Sequence, residues 1–343
     1  MEEFEQVTVV TLNWNSYDDT RECIESLRKS SYSPLEVVII DNASVDGSEI
    51  ALRNWLDESA MLATFAVIPR RSRRPIASST HDIDGMAVHL FVSEENLGFC
   101  VGNNVGLDFA FSSGSAYSLV LNNDTICEPT TVAELVAVAR ETDAGLVGGL
   151  IYYGSDHNRI WWAGGSFDRN LETKRFLSGR PMSALTVDVP YDTQWISGCM
   201  TLVPRATYEM VGGYDEDFFI WSEEWDLSLR VSGAGKRLVV APRAHLYHKT
   251  GQSLGVLYPL SYYYGTRNRL MLKRKHLSPV RRRIVTAVFL ATRIPRYALL
   301  LAQGRRDLVA AGLDAIRDYF ADRTGKWARH EVIPRPKPRA AQR

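Results

Sequence analysis

The sequence predicts an α/β fold in which a parallel sheet is flanked by helices. Two observations carry this. Short apolar, β-branched runs alternate with helically patterned stretches through the first half of the chain. From Pro259 the pattern turns helical and basic, which adds a helical extension at the C-terminal side. Strands separated by helices of this length favour right-handed crossovers and parallel pairing.

The elements follow in order. Val7–Leu12 is a buried strand. Tyr17–Lys29 is a helix, with apolar Cys23, Ile24 and Leu27 and with Asp18 and Asp19 near its start. Leu35–Ile40 is a second strand, and residues 47–56 form a second helix. Ala87–Val92 is a strand, Val101–Phe111 a helix, Ser118–Leu121 a strand and Leu238–Ala241 another. Pro69–Asp84 is polar, with two prolines and four arginines, and is expected to be an exposed loop. Trp161-Trp162-Ala163-Gly164-Gly165 and Trp195-Ile196-Ser197-Gly198 suit the irregular walls of a pocket.

At 343 residues with 45% hydrophobic and 23% charged residues, the chain is of ordinary globular composition, and disorder over most of it is excluded. Four scattered cysteines without CxxC spacing argue against a zinc site or a disulfide scaffold. Met1–Gln6 is acidic and Val7–Leu12 is too short for a signal core, so no signal peptide is expected. The net charge is zero, but it is unevenly spread. Residues 267–343 hold 20 Lys/Arg against 5 Asp/Glu, and residues 1–266 hold 20 against 35. A basic end suggests an anionic partner. In Ile284–Leu301 the longest uncharged run is nine residues, too short to span a bilayer, so the segment is expected to lie on a surface or to pack on the body.

Five constellations can carry chemistry. Asn122-Asn123-Asp124 follows a strand, where a carboxylate can hold a hard cation beside a ligand's phosphates, although Asn-Asp also suits a plain turn. Asp41 ends another strand, where it can bind a ribose or base or help cap a helix. Gly98, Gly102 and Gly106 recur every fourth residue in Asn96–Gly106, a face that lets backbone approach a ligand or a strand. Glu223, Glu224 and Asp226 crowd a helix start. The helix dipole and an Asp226–Arg230 pair account for them structurally, while Trp and Phe neighbours would desolvate Glu223 or Glu224 into a general base. His248 lies in His248–Ser253.

Together these segments resemble the family 2 glycosyltransferases of the GT-A fold, in particular the bacterial rhamnosyltransferase-like branch. The match runs through Val9–Asn15, Val38–Ser48, Asn96–Gly106, Leu121–Thr125, Val211–Glu216, Phe218–Arg230 and His248–Ser253, and covers residues 5–275. The resemblance implies a single mixed, mostly parallel sheet. Its nucleotide-sugar-binding half would be residues 1–125, its acceptor half 126–266 and its basic helical extension 267–343. It implies that Asp124, with His248, holds Mg²⁺ or Mn²⁺ on the donor diphosphate, Asn122 replacing the first acid of the family motif. Thr11, Asn13, Asp41, Asn103 and Asn123 would form the nucleotide pocket. Glu224 would be the base with Glu223 in reserve, and Trp195, Gly198, Trp221, Asp226 and Arg267 would line the donor and acceptor pocket, Arg267 towards the diphosphate.

The implied activity is inverting transfer from a dTDP- or UDP-sugar, such as dTDP-rhamnose, to a hydroxyl of a glycan or a lipid-linked acceptor. The implied location is cytoplasmic, peripheral on an anionic membrane surface. A small-metabolite acceptor and a non-catalytic nucleotide-binding protein are the alternatives. A nucleotidyltransferase would show a Gly-rich loop with Arg or Lys where Asn13-Trp14-Asn15-Ser16 stands. A nucleic-acid partner is disfavoured because the basic arginines alternate with apolar positions and no reading motif is present.

Overall fold

The computed structural model describes residues 5–60, 63–68, 76–249 and 258–330, with backbone alone at 63–68, 76 and 77. The N-terminal half begins with β1 (Val7–Asn13), α1 (Tyr17–Leu27), β2 (Leu35–Asp41) and α2 (Ser48–Ser59). It continues with β3 (Ala63–Ile68), β4 (Ile76–Ile83), β5 (Met86–Val92), α3 (Gly98–Ser112) and β6 (Tyr117–Asn122). The second half holds β7 (Thr125–Cys127), α4 (Thr131–Thr142), β8 (Leu146–Tyr153), β9 (Asp156–Trp162), β10 (Gly165–Phe167), β11 (Thr173–Arg175) and β12 (Tyr191–Asp192). Then come β13 (Met200–Pro204), α5 (Arg205–Val211), α6 (Glu223–Gly233), β14 (Leu238–His248), α7 (Pro259–His276), α8 (Pro279–Ala302) and α9 (Arg306–Phe320).

The main sheet runs β12-β14-β8-β13-β6-β1-β2-β5-β4-β3, with β7 and β9 pairing off β14 and β8. The centre, β6-β1-β2-β5, is parallel, as the alternation of strands and helices predicts. Its strands are apolar along their length because helices cover both faces; Val9, Val10, Val37, Val38, Ile39 and Ile40 are fully buried. β13 enters antiparallel beside β6 and turns the sheet from parallel to mixed.

Two expectations are corrected here. The polar stretch Pro69–Asp84 is not all loop: β4 occupies Ile76–Ile83 and pairs with both β3 and β5. The missed signal is Asp84-Gly85, whose φ values of 53° and 82° make the two-residue turn that favours a hairpin. Residues 69–75 lie outside the described residues, as do 250–253 of the His248 motif and the proline-rich end. The Trp/Gly segments are mostly core and not an irregular pocket wall; the exceptions are Trp161, whose ring lies 4.8 Å from that of His248, and Gly198. Trp162 and Trp195 are buried, with centroids 5.8 Å apart, and a Cβ on Gly165 would stand 2.2 Å from the Trp195 ring. Gly165 is there for close packing.

The glycine face is explained by the sheet. A Cβ at Gly106 would stand 2.2 Å from Val10, and one at Gly102 2.8 Å from Leu12. Of the two options, backbone against strand is the one realised. Gly98, with φ of 73°, instead abuts Phe219. In the extension, the boundary drawn at residues 266 and 267 falls inside α7, a largely buried helix. α8 is long and apolar enough by length and composition to cross a membrane, which the uncharged-run argument had discounted. It lies against the body through Phe289 and Leu300 and carries five arginines.

Candidate active site

β1, β2 and β6 end on one edge of the sheet, the carboxyl edge where open α/β sheets bind ligands. There Asn13, the last residue of β1, stands opposite Asp41, the last of β2. Asn13 Nδ2 donates to Asp41 Oδ2 at 2.7 Å, and Asn13 Oδ1 accepts from Thr20 Oγ1 at 2.8 Å. Thr20 Oγ1 in turn accepts from Asn123 Nδ2 at 2.8 Å. One hydrogen-bonded chain therefore links the ends of three strands. Asp41 Oδ1 also accepts from the Ser44 backbone N–H, which fixes the loop after β2. Asn42 ties that loop to the next one by accepting from Leu97 N–H and donating to Asn96 Oδ1 and the Gly98 carbonyl. Thr20 and Asn42 are working parts that sequence reasoning missed; Asn42 lay within the Asp41–Ser44 segment already singled out. Thr11 is fully buried beneath this edge, and Asn103 donates back to the Phe99 carbonyl of its own helix.

Asp124 and His248 come together as expected. Asp124 follows β6 in the turn that leads to β7, and β14 brings His248 opposite Thr125. His248 Nε2 lies 3.0 Å from Asp124 Oδ1. Burial favours neutral imidazole, but Cys199 and the Asp124 carboxylate outweigh it and push His248 up to about 11. Among the described residues no group of three His, Cys, Asp or Glu side chains is placed to hold a metal. Were the imidazole to give up its proton to an incoming cation, one carboxylate oxygen and one imidazole nitrogen would make an incomplete shell, of the kind a hard cation completes with substrate phosphates and water.

The second carboxylate group opens α6. Phe219, Trp221 and Ser222 have φ of 66°, 67° and 74°, a left-handed run of non-glycine residues immediately before Glu223. Such strain persists only where surrounding contacts over-determine it, and it clusters at functional sites. The contacts are specific. Asn268 Nδ2 reaches the carbonyls of Phe218, Ile220 and Trp221, and the Phe219 carbonyl accepts from Phe99 N–H and Cys100 N–H at the start of α3. Burial pushes the Glu224 carboxyl up to about 7 even at a helix N-terminus. Glu223 is raised well above its ordinary value by burial and by Glu224 beside it.

The two carboxylate groups meet across Gly198-Cys199. A Cβ on Gly198 would touch Glu224 Cβ at 3.6 Å and Phe99 at 3.5 Å. The next residue, Cys199, neighbours His248 and accepts at its carbonyl from Asn122 N–H at 3.1 Å. The antiparallel entry of β13 beside β6 thus brings the start of α6 and the Asp124–His248 pair to the two sides of one strand start. Cys199 was noted only as one of four cysteines, and its role depends on a long-range pairing.

Four of the expected pocket residues have other partners. Arg267 is fully buried, and all five of its N–H donors are engaged: by Asn268, Tyr263 and the carbonyls of Asp217, Phe218 and Gly325. It braces the loop before α6 and has nothing left for a diphosphate. Asp226 is buried against Arg230, Lys275 and His276, which hold it far below the usual carboxylate range despite burial. Trp195 sits in a buried ring stack with Trp162 and Trp225. Trp221 is half-buried beside Tyr264.

The profile of glycosyl transferase family 2 matches residues 8–211. The chain belongs to this family. A glycosyltransferase of Mycobacterium tuberculosis, an N-acetylglucosaminyl-diphospho-decaprenol L-rhamnosyltransferase, is 39% identical over 61 residues, 18% of this chain and 20% of that one. A low-salt glycan biosynthesis hexosyltransferase of Haloferax volcanii is 23% identical over 62% of this chain and 65% of its own length. The chain therefore matches less than two thirds of these curated relatives. Among solved structures, a Pyrobaculum calidifontis mannosyltransferase in complex with GDP-Man and Mn²⁺ is 15% identical, with a TM-score of 0.53 over 94% of this chain and 88% of that one. GalNAc-T7 with UDP, GalNAc and Mn²⁺ is 18% identical, with a TM-score of 0.55 over 71% of this chain and 43% of its own. The fold of this family member is GT-A, a mixed sheet with parallel central strands, flanking helices and C-terminal helices.

Proposed function

We propose that this glycosyltransferase moves a sugar from a nucleoside-diphosphate donor to an acceptor hydroxyl by one inverting displacement. The observation that carries the reading is Glu224, a carboxyl raised to about 7 and set across Gly198-Cys199 from Asp124 and His248. A group of that proton affinity can take the acceptor's proton near neutral pH as the oxygen attacks the anomeric carbon. Asp124 and His248 would hold Mg²⁺ or Mn²⁺, which when bound offsets the charge developing on the leaving diphosphate. The Asp41–Asn13–Thr20–Asn123 chain orients the loops beneath the nucleotide.

The rhamnosyltransferase relative supports a deoxysugar donor, dTDP-rhamnose or a UDP-sugar, and a lipid-linked or surface-glycan acceptor. An acceptor of that kind suits a cytoplasmic enzyme held on the inner membrane face by its basic helices. Glu224→Gln should keep nucleotide binding in calorimetry and lower turnover by about 10²–10⁴-fold; near wild-type turnover sinks the assignment. Asp124→Ala should abolish the gain in donor affinity on adding Mn²⁺. An unchanged metal-dependent affinity rejects Asp124 as the ligand.

A further inference from the structure

We propose that α8 is an in-plane anchor for an anionic phospholipid bilayer, and that a groove beside it receives a lipid phosphate. This deepens the peripheral-membrane part of the proposed function and is independent of its chemistry. At helical spacing, Val280, Ile284, Val288, Ile294 and Leu299 fall on one side of α8, together with Ala287, Ala291 and Ala298. The five large residues are 59–71% exposed. Arg281 and Arg283 border this face on its two sides, while the opposite side packs on the body through Phe289 and Leu300. An apolar face with flanking arginines is the pattern of a helix lying in the headgroup boundary.

Alongside runs an open groove of about 460 Å³ between α8 and α9, lined by Arg274, Arg282 and Arg283 with Leu290, Phe320 and Asp322. Arg274 pairs with Asp322. Arg282 and Arg283 make no ion pair among the described residues, so the groove keeps two uncompensated positive charges next to the apolar face. Phe320 is 63% exposed at its rim. Positive charge beside exposed apolar surface fits a phosphate attached to acyl chains. A second copy of this chain would oppose arginine to arginine across a two-fold interface. A spanning orientation would carry Arg293 and Arg296 into hydrocarbon and strip Phe289 and Leu300 from the body.

The test is flotation of the full chain with vesicles of phosphatidylcholine, alone or mixed with phosphatidylglycerol. The wild type should float with the anionic vesicles only. Ile284→Glu/Val288→Glu should abolish flotation, and Arg282→Gln/Arg283→Gln should weaken binding by about 25-fold, about fivefold per arginine. Melting temperature and nucleotide binding should stay at wild-type values, since these side chains are exposed. Ile284→Leu/Val288→Leu should restore flotation. Equal binding by wild type and either loss variant overturns the proposal, as does equal flotation with neutral vesicles. A glutamate pair that turns a dimer into a monomer in sedimentation, without changing flotation, gives the face to a second copy and also overturns it. Donor hydrolysis without vesicles reads the chemistry separately, so failure of the anchor and failure of the transferase reading give different results.

Discussion

At Glu224, burial and function point the same way. A solvated glutamate would be fully ionised near neutrality and a weak base. Glu224 stays poised at about 7 because α6 begins inside the protein, behind Phe218 and Phe219. The sign of its pH dependence follows. Glu224 and Glu223 bind protons more tightly folded than unfolded, where the ordinary value is 4.5. The contribution of Glu224 to stability is therefore complete below about 4.5 and is lost as pH rises through about 7, and Glu223 contributes with the same sign. Activity needs the ionised base and moves the opposite way. Between pH 8 and 5, kcat/KM should fall about tenfold per unit below 7 while the melting temperature gains from both carboxyls. Glu224→Gln should flatten this part of the stability slope, and an unchanged slope would refute the assignment. In the sequence this site was legible as residue types in order: Asp124, His248 and the two glutamates. Asp226, Arg267 and Trp195 were misplaced because a charged or aromatic side chain gives no local sign of whether its partners are backbone carbonyls or a ligand. Their partners lie on α7, on Gly325 and on Trp162.

At the level of elements, α3 shows how spacing becomes packing. Gly106 lets α3 settle on Val10, a β-branched strand residue with little rotamer freedom to give way. Gly106→Ala gains about 1 kcal/mol of helix propensity. It loses about 1–3 kcal/mol to overpacking, so urea denaturation should show a net loss. A more stable variant would mean that α3 does not bear on β1 through this residue. The central parallel strands were legible because apolar, β-branched runs have no other use at that length. The flanking antiparallel elements were less so. β4 is polar without a break from Ser78 to Asp82, and the buried Ser79–His81 pair reads as surface until α2 is known to lie against it, with Asp57 3.4 Å from His81. Only Asp84-Gly85 announced the turn.

Across the whole molecule, the zero net charge resolves into an acidic catalytic body and a basic helical layer, but the layer is not an appendage. Phe219, Ile220 and Trp221 pack into one apolar cluster with Tyr264, Leu300, Leu308 and Trp327. The charge count revealed the layer, but it could not reveal that the same segment braces the loop before the base. Arg267→Met should leave the Gly325 carbonyl without its donor, remove one of several donors from the carbonyls of Asp217 and Phe218, and cost about 1–3 kcal/mol. It should lower kcat while nucleotide affinity holds, because the base and not the nucleotide pocket loses its support. A loss of nucleotide affinity with kcat intact would return Arg267 to the diphosphate.

His330 touches the rings of Trp14, Phe219 and Tyr264, and Trp327 stacks on Tyr263. Trp14 is made long before His330. Because chains emerge from the ribosome N-terminus first, β1, β2 and their loops are available to fold long before this closing contact exists. A nascent chain therefore acquires the Asn13–Asp41 edge before it acquires the brace on the loop that precedes α6. That brace is complete only once residues 325–330 have emerged, when the carboxyl edge of the central strands is already in place.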